Sequence, residues 1–491
     1  MEKLTDLDPN WAWSPYRGAA NGGLKIEATD ARGNDSAASG WNLAAVRHLL
    51  RRAAFGGTTE LAEQLLELTP EKAVDRLLGP DSADSVDSTS SRETRADGSQ
   101  RVALLDFERT ADQLSVSSLA GGNSETLSST WVYRMLQTPF PLREKLTLFW
   151  HGHFATSADK VEDSRMMWKQ NRLLRKHALG RFEDLVQNVA QDPAMLVYLD
   201  SETNRKSHPN ENFARELMEL FCLGEGNYTE KDVQELSRCF TGWEIKNRKY
   251  RKNRYQQDRG TKEFLGAAGK FDGEEAIQVV IAQPTAAYFI CRKLVKYFVF
   301  DEPVCPDTLL KPLAETFRES DGDIGRVVKQ ILCSNLFFSE HSVARKIRSP
   351  IDLCVGALRT MECTTNTLEL AKGLREVGQG LFFPPNVKGW DGGRAWINSS
   401  TLIGRSNLFQ KILASDKTRF AGTSLTEWME SQALSSDDFV EWLEQSLLAV
   451  PLSTSAADRI AVALKGEDGN AETKARGVLH AALSLPETQL G

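Results

Sequence analysis

Apolar residues recur along most of this chain at offsets of three and four, the period of a helix with one buried face. The first clear case is 42–54, where Leu43, Val46, Leu49, Leu50 and Ala53 share a stripe and Gly56 follows as a stop. A second helix is predicted over 59–68. A third is punctuated by Thr69 as N-cap, Pro70 in the first turn and Gly79 at the end. Further amphipathic segments follow near 125–137, 142–151, 160–178, 181–191, 193–200, 210–223 and 230–241. They resume over 274–300, 307–319, 323–336 and 348–361, and helices continue to about 485.

Three stretches break the pattern. Residues 1–40 are rich in Gly, Asn, Asp and Ala and read as an extended arm, with Trp11, Trp13 and Tyr16 as anchors. Residues 81–100 have almost no apolar content and read as a disordered acidic linker. Residues 244–272 are basic, contain tyrosine and lack helical period, which predicts a hairpin or long loop. No strand–helix alternation occurs, so the expected fold is all-α. The expected organisation is N-terminal helices over 41–80, a main helical body over 101–410 with a short irregular β or loop insertion, and C-terminal helices over 411–491.

Composition narrows the function classes. The 491 residues are 41% hydrophobic and 26% charged, enough for a substantial core. A net charge of −7 gives no global field toward nucleic acid, which is disfavoured as a partner. No apolar run is long enough to span a bilayer. The first residues, MEKLTDLDPNWAWSPYRG, do not read as a signal peptide, so the expected location is the cytoplasm. The seven cysteines form no CxxC pair and read as buried, reduced thiols. P-loop, GxGxxG, GxSxG and HExxH motifs are missing.

Four groups of residues carry candidate chemistry. His151 and His153 flank Gly152. If the helix before them ends near Trp150, both imidazoles fall on one side and can ligate one metal; if it continues, they diverge by roughly 200°. Arg215, Glu216 and Glu219 lie on the 210–223 helix, either as an exposed charged face or as catalytic groups. Joined to the histidines, Glu216 or Glu219 would complete a site for zinc, iron or manganese, with the other carboxylate as base and Arg215 binding an anion. The loop 384–390 with Trp396 offers Lys388 as a substrate contact, and Trp390 and Trp396 as either core plugs or a stacking platform for a sugar. The segment 246–262 carries eight basic residues around Tyr250 and Tyr255, either a solvated loop or a polyanion-binding surface.

WHGHFATS (150–157) and NENFARELMELFCLGEGNYTEKDVQELSRCFTGW (210–243) are specific enough to resemble a large bacterial family labelled domain of unknown function 1800. LLRRAAFG (49–56), DPAMLVYLD (192–200), KEFLG (262–266), GQGLFFPPNVKGWDGGRAWIN (378–398) and SLPETQL (484–490) match it too. The resemblance implies a partner similar to secreted sulfatases or alkaline phosphatases, and export of many members. It also implies a His-Asp pair before KEFLG, where this chain has Gln257-Asp258. The leading expectation is a metal-dependent hydrolase of an anionic or carbohydrate-like substrate. The alternatives are a helical scaffold for a sulfatase-like protein, or polyanion binding through 246–262.

Overall fold

A computed structural model describes residues 3–17, 40–79, 98–465 and 470–491. It is mostly helical, 61% helix against 6% strand, with the strands in small two-stranded sheets. The predicted caps hold: Thr69 Oγ1 accepts from Lys72 N, and Thr229 forms a capping box with Asp232 on Glu230–Cys239. The acidic linker lies almost wholly outside the described residues. Part of the N-terminal arm is not extended: Asp8 caps a short helix, Pro9–Trp13. Two of its three expected anchors are buried, with Trp13 Nε1 donating to the Leu309 carbonyl and Tyr16 Oη to Gly40, and Trp11 is partly buried. All seven cysteines are free and buried.

Two expected helices are broken. Residues 160–178 split into Ala158–Val161 and Ser164–His177, because Glu162 is left-handed and Asp163 recaps the chain. Residues 274–300 split into Gly273–Ile281 and Pro284–Phe298, because Pro284 cannot continue a helix and begins a new one. The insertion is a pair of antiparallel hairpins. Trp243–Lys246 pairs with Lys249–Lys252, with Trp243 opposite Lys252, and Lys262–Phe264 pairs with Ala267–Gly269. A third pair, Cys363–Thr364 with Arg419–Phe420, was not expected.

Among the described residues the core falls into two clusters. One joins the N-terminal helices to the segments up to residue 338; the other joins the 127–168 region to the C-terminal helices. The helix Pro141–His153 lies between them. Leu142, Leu146, Phe149 and Trp150 enter the first cluster and Leu148 the second. A helix walled on both sides buries its polar residues as well, and Glu144, Lys145, His151 and His153 are all buried. Arg134 and Arg175 neutralise Glu144, holding its carboxyl near 2 against the cost of burial. No helix among the described residues is long and apolar enough to cross a membrane.

Candidate functional site

The Pro141–His153 helix does not stop at Trp150; it runs through His153. Its two histidines therefore face different neighbours. His151 Nε2 accepts a hydrogen bond from Phe382 N at 3.1 Å, so its proton sits on Nδ1. The ring packs among Trp131, Phe382 and Trp390, and burial lowers its pKa to about 3. His153 Nε2 donates to the Phe221 carbonyl at 3.0 Å, and its Nδ1 accepts from Lys293 Nζ at 3.2 Å. Burial first, and then the Lys293 charge, hold His153 neutral. Burial also lowers Lys293 to about 8.

Gly152 between them has a separate task. Gly389 sits at φ +78°, and a Cβ there would stand 2.1 Å from the Gly152 carbonyl oxygen. Only glycine permits both that conformation and that approach. The three residues 151–153 thus clip the 381–390 loop and the 217–222 segment onto one helix end.

The 210–223 segment is not one α-helix. Asn212–Glu216 is α-helical, and Leu217–Cys222 is a π-helical turn in which Leu223 N reaches back to the Met218 carbonyl at 2.8 Å. The carbonyls of Leu220 and Phe221 bond Lys293 Nζ and His153 Nε2 instead. Such turns recur at functional sites. This one carries Glu219, with Glu216 immediately before it.

Glu216 is half-buried, and its Oε2 is buried without a hydrogen-bond partner. Burial raises its pKa, the Glu219 charge raises it further, and Arg215 and Lys388 oppose the rise. Glu219 accepts from Tyr228 Oη at 2.6 Å. Burial, then this bond and charge, push the Tyr228 phenol up. Tyr198, also half-buried, has its hydroxyl raised by burial and by the Glu216 charge.

Tyr198 links this group to an open cleft of about 570 Å³. Ser157, Asp159, Lys160, Arg375, Phe383 and Pro385 also line it. Tyr198 ends the helix Pro193–Tyr198, whose N-cap is buried Asp192. Asp192 Oδ2 accepts from Ala194 N, Met195 N and Gln170 Nε2, while burial raises its carboxyl to about 7. The cleft's charges are mostly paired: Lys160 with Asp200 at 2.8 Å, and Arg375 with Glu125 at 3.1 Å and Asp159 at 3.3 Å. Arg375 also lies 3.8 Å over the Phe383 ring. Lys388 is exposed and forms no ion pair among the described residues.

Several expectations need correction. The His151/His153/Glu metal centre does not fit: three of the four ring nitrogens already bond protein groups. Among the described residues no set of three His, Cys, Asp or Glu could hold a metal ion. Arg215 does not offer a free fork for an anion, since its donors go to Glu230 at 2.7 and 2.8 Å and Glu211 at 3.2 Å. Those bonds, Glu230 first, raise its pKa. Trp396 is 9% exposed and belongs to the core. Trp390 is wedged against His151 and the Gly152 backbone, so the two tryptophans form no platform. Three of the eight basic residues of the 246–262 segment are neutralised from outside it: Arg248 pairs with Asp163, Arg251 with Glu244, and Lys252 with Asp272 and Glu274, while Lys246, Lys249, Arg254 and Arg259 are exposed and form no ion pair among the described residues. Lys262 is buried on the carbonyls of Asp258 and Phe271, and Tyr250 packs on Trp243, leaving Tyr255 exposed.

Tyr198, Tyr228, Asp159, Lys160 and Arg375 carry no local signal of function. The first four lie inside or beside the long motifs, which was the only available pointer.

The class of molecule is therefore a mostly helical protein with an open cleft lined by polar and apolar side chains. The chain belongs to the family described as protein of unknown function (DUF1800), which matches residues 48–490. No curated protein and no solved structure matches it.

Proposed function

We propose that this chain is a hydrolase of a carbohydrate-like substrate that works by acid–base chemistry, with Glu216 as proton donor and without the metal site expected from His151 and His153. One observation supports it above the others: Glu216 is a half-buried carboxyl with a buried oxygen that no described protein group satisfies, and its charge acts on Tyr198, which lines an open cleft. Burial and the neighbouring Glu219 charge favour its protonated form, which a general acid requires. Glu216 gives its proton to the leaving-group oxygen as the C–O bond breaks. Water adds to the carbon, and its proton passes to Asp159, a carboxylate that lines the cleft.

The cleft composition favours hydroxyl-rich over strongly charged ligands. Tyr198, Phe383 and the prolines offer flat apolar surface for a sugar ring. The ion pairs of Lys160 and Arg375 offer hydrogen bonds with little net charge. Lys388, whose charge acts on Glu216 and which forms no ion pair among the described residues, offers a cation for a carboxylate or sulfate on the substrate.

The test is cleavage of neutral, uronic and sulfated oligosaccharides by the full chain, read as new reducing ends. Glu216→Gln should lower the rate by roughly 10²–10⁴-fold, and chelator should leave it unchanged. No cleavage of any of the three classes, full activity in Glu216→Gln, or loss of activity on chelation would each overturn the reading.

A further inference from the structure

The hairpin of Trp243–Lys246 and Lys249–Lys252 has two unlike faces. Trp243 is buried, and Ile245 and Tyr250 pack on the core beside it. Alternation then puts Glu244, Lys246, Lys249 and Arg251 together on the outer face. The register sets Lys246 directly opposite Lys249, and like charges so placed weaken a strand pair. Between them Asn247 and Arg248 both have positive φ, +53° and +58°. A two-residue turn of this hand favours glycine, not arginine, as its second residue. A sequence suited only to closing the hairpin would carry neither feature.

Arg248 is held by Asp163, but Lys246 and Lys249 are exposed and form no ion pair among the described residues. Further along the same face one carboxylate, Glu244, answers two guanidiniums, Arg251 and, at 3.8 Å, Arg205. The face is therefore cationic. It also adjoins the cleft wall. Asp163, which holds the turn, follows by two residues the helix Ala158–Val161, whose Asp159 and Lys160 line the cleft. The strand Trp243–Lys246 lies against the helix Pro193–Tyr198, which ends in the cleft residue Tyr198, and against the turn Ser201–Thr203 beyond it.

We propose that this outer face is a secondary binding surface for an acidic polysaccharide, a uronate- or sulfate-bearing chain that extends from the cleft across Lys246 and Lys249. The choice of a carbohydrate polymer rests on the hydrolase reading; the surface itself rests on the hairpin charges. The ion pairs of Lys160 and Arg375 leave little net charge in the cleft, so the anionic groups of a long chain meet their cations on the hairpin. Single-stranded nucleic acid fits less well. Its bases call for successive aromatic rings, and of the two tyrosines in 246–262 only Tyr255, at 87%, is exposed.

The test is binding of the full chain to immobilised polygalacturonate, dextran sulfate, neutral dextran and single-stranded polythymidylate, read by interferometry. At least one acidic polysaccharide should bind more tightly than polythymidylate and weaken as salt rises, and neutral dextran should not bind. The double variant Lys246→Gln with Lys249→Gln should weaken that binding roughly tenfold. Its Tm should not fall, because the like-charge pair is gone. Lys311→Gln with Lys417→Gln, which removes the same charge elsewhere, should leave binding unchanged. Glu216→Gln should bind like the unaltered chain, so a failure to cleave counts against the hydrolase reading alone, while this surface is judged without turnover. No binding to either acidic polysaccharide, tighter binding to polythymidylate, or equal weakening in the two double variants would each overturn the proposal.

Discussion

His151 and His153 on one side, and Glu216 and Glu219 on the other, offer the same elementary repertoire of ligation and proton transfer, yet the protein uses them differently. The histidines close a helix that is walled in by both core clusters, and their bonds run to the main chain of Phe382 and Phe221 and to Lys293. Every such bond fixes the position of a distant segment. The glutamates sit half-buried, one tied only to Tyr228 and the other with an oxygen left over. Chemistry of the right kind becomes structural when its acceptor atoms are taken up by other parts of the chain, and is available for reaction when one is held back.

The contrast can be broken by experiment. The largest effect should come from pH. His151 titrates near 3 in the folded chain and near 6.5 when unfolded, so only the unfolded state takes up its proton between those values. Stability from this residue is present above about pH 6.5 and is lost as pH falls toward 3, by on the order of 5 kcal/mol. Urea midpoints of the unaltered chain and His151→Gln should diverge across that window, and parallel curves would remove His151 from the account. Next in size, His153→Ala strands the Phe221 carbonyl and one Lys293 donor and opens a small void, which should cost about 3 kcal/mol in the same measurement. A cost under about 1 kcal/mol would mean that the clip is dispensable. The smallest effect should be Glu216→Gln, which removes an unfavourable carboxylate neighbour of Glu219. Calorimetry should find its stability unchanged or raised by up to about 1 kcal/mol, in contrast to its large effect on rate.

Much of the architecture was legible in the residue pattern because it is written locally. Helical stripes, the caps at Thr69 and Thr229, and the aperiodic 244–272 segment each depend on residues a few positions apart. What escaped depends on distant pairs. His151 meets a main-chain amide 231 residues later, and no spacing rule could announce that. The same holds for Arg215, whose apparent freedom disappears once Glu230 folds back onto it. The π turn was hidden because its apolar positions also suit an ordinary helix. Trp396 illustrates a different ambiguity, since a tryptophan in a glycine-rich loop has the same signature whether it meets solvent or core.

The meeting of Gly152 and Gly389 bears on how the cleft could exchange its contents. The loop lies there main chain against main chain, with no room for a side chain between. Phe382, a few residues earlier, is fastened to the same helix end by its amide. If the cleft takes the proposed substrate, these contacts hold that wall in place, and the ligand should meet a shape settled before it arrives. On that reading, exchange is expected through the solvent-facing mouth, at a pace set by contacts there rather than by a gate.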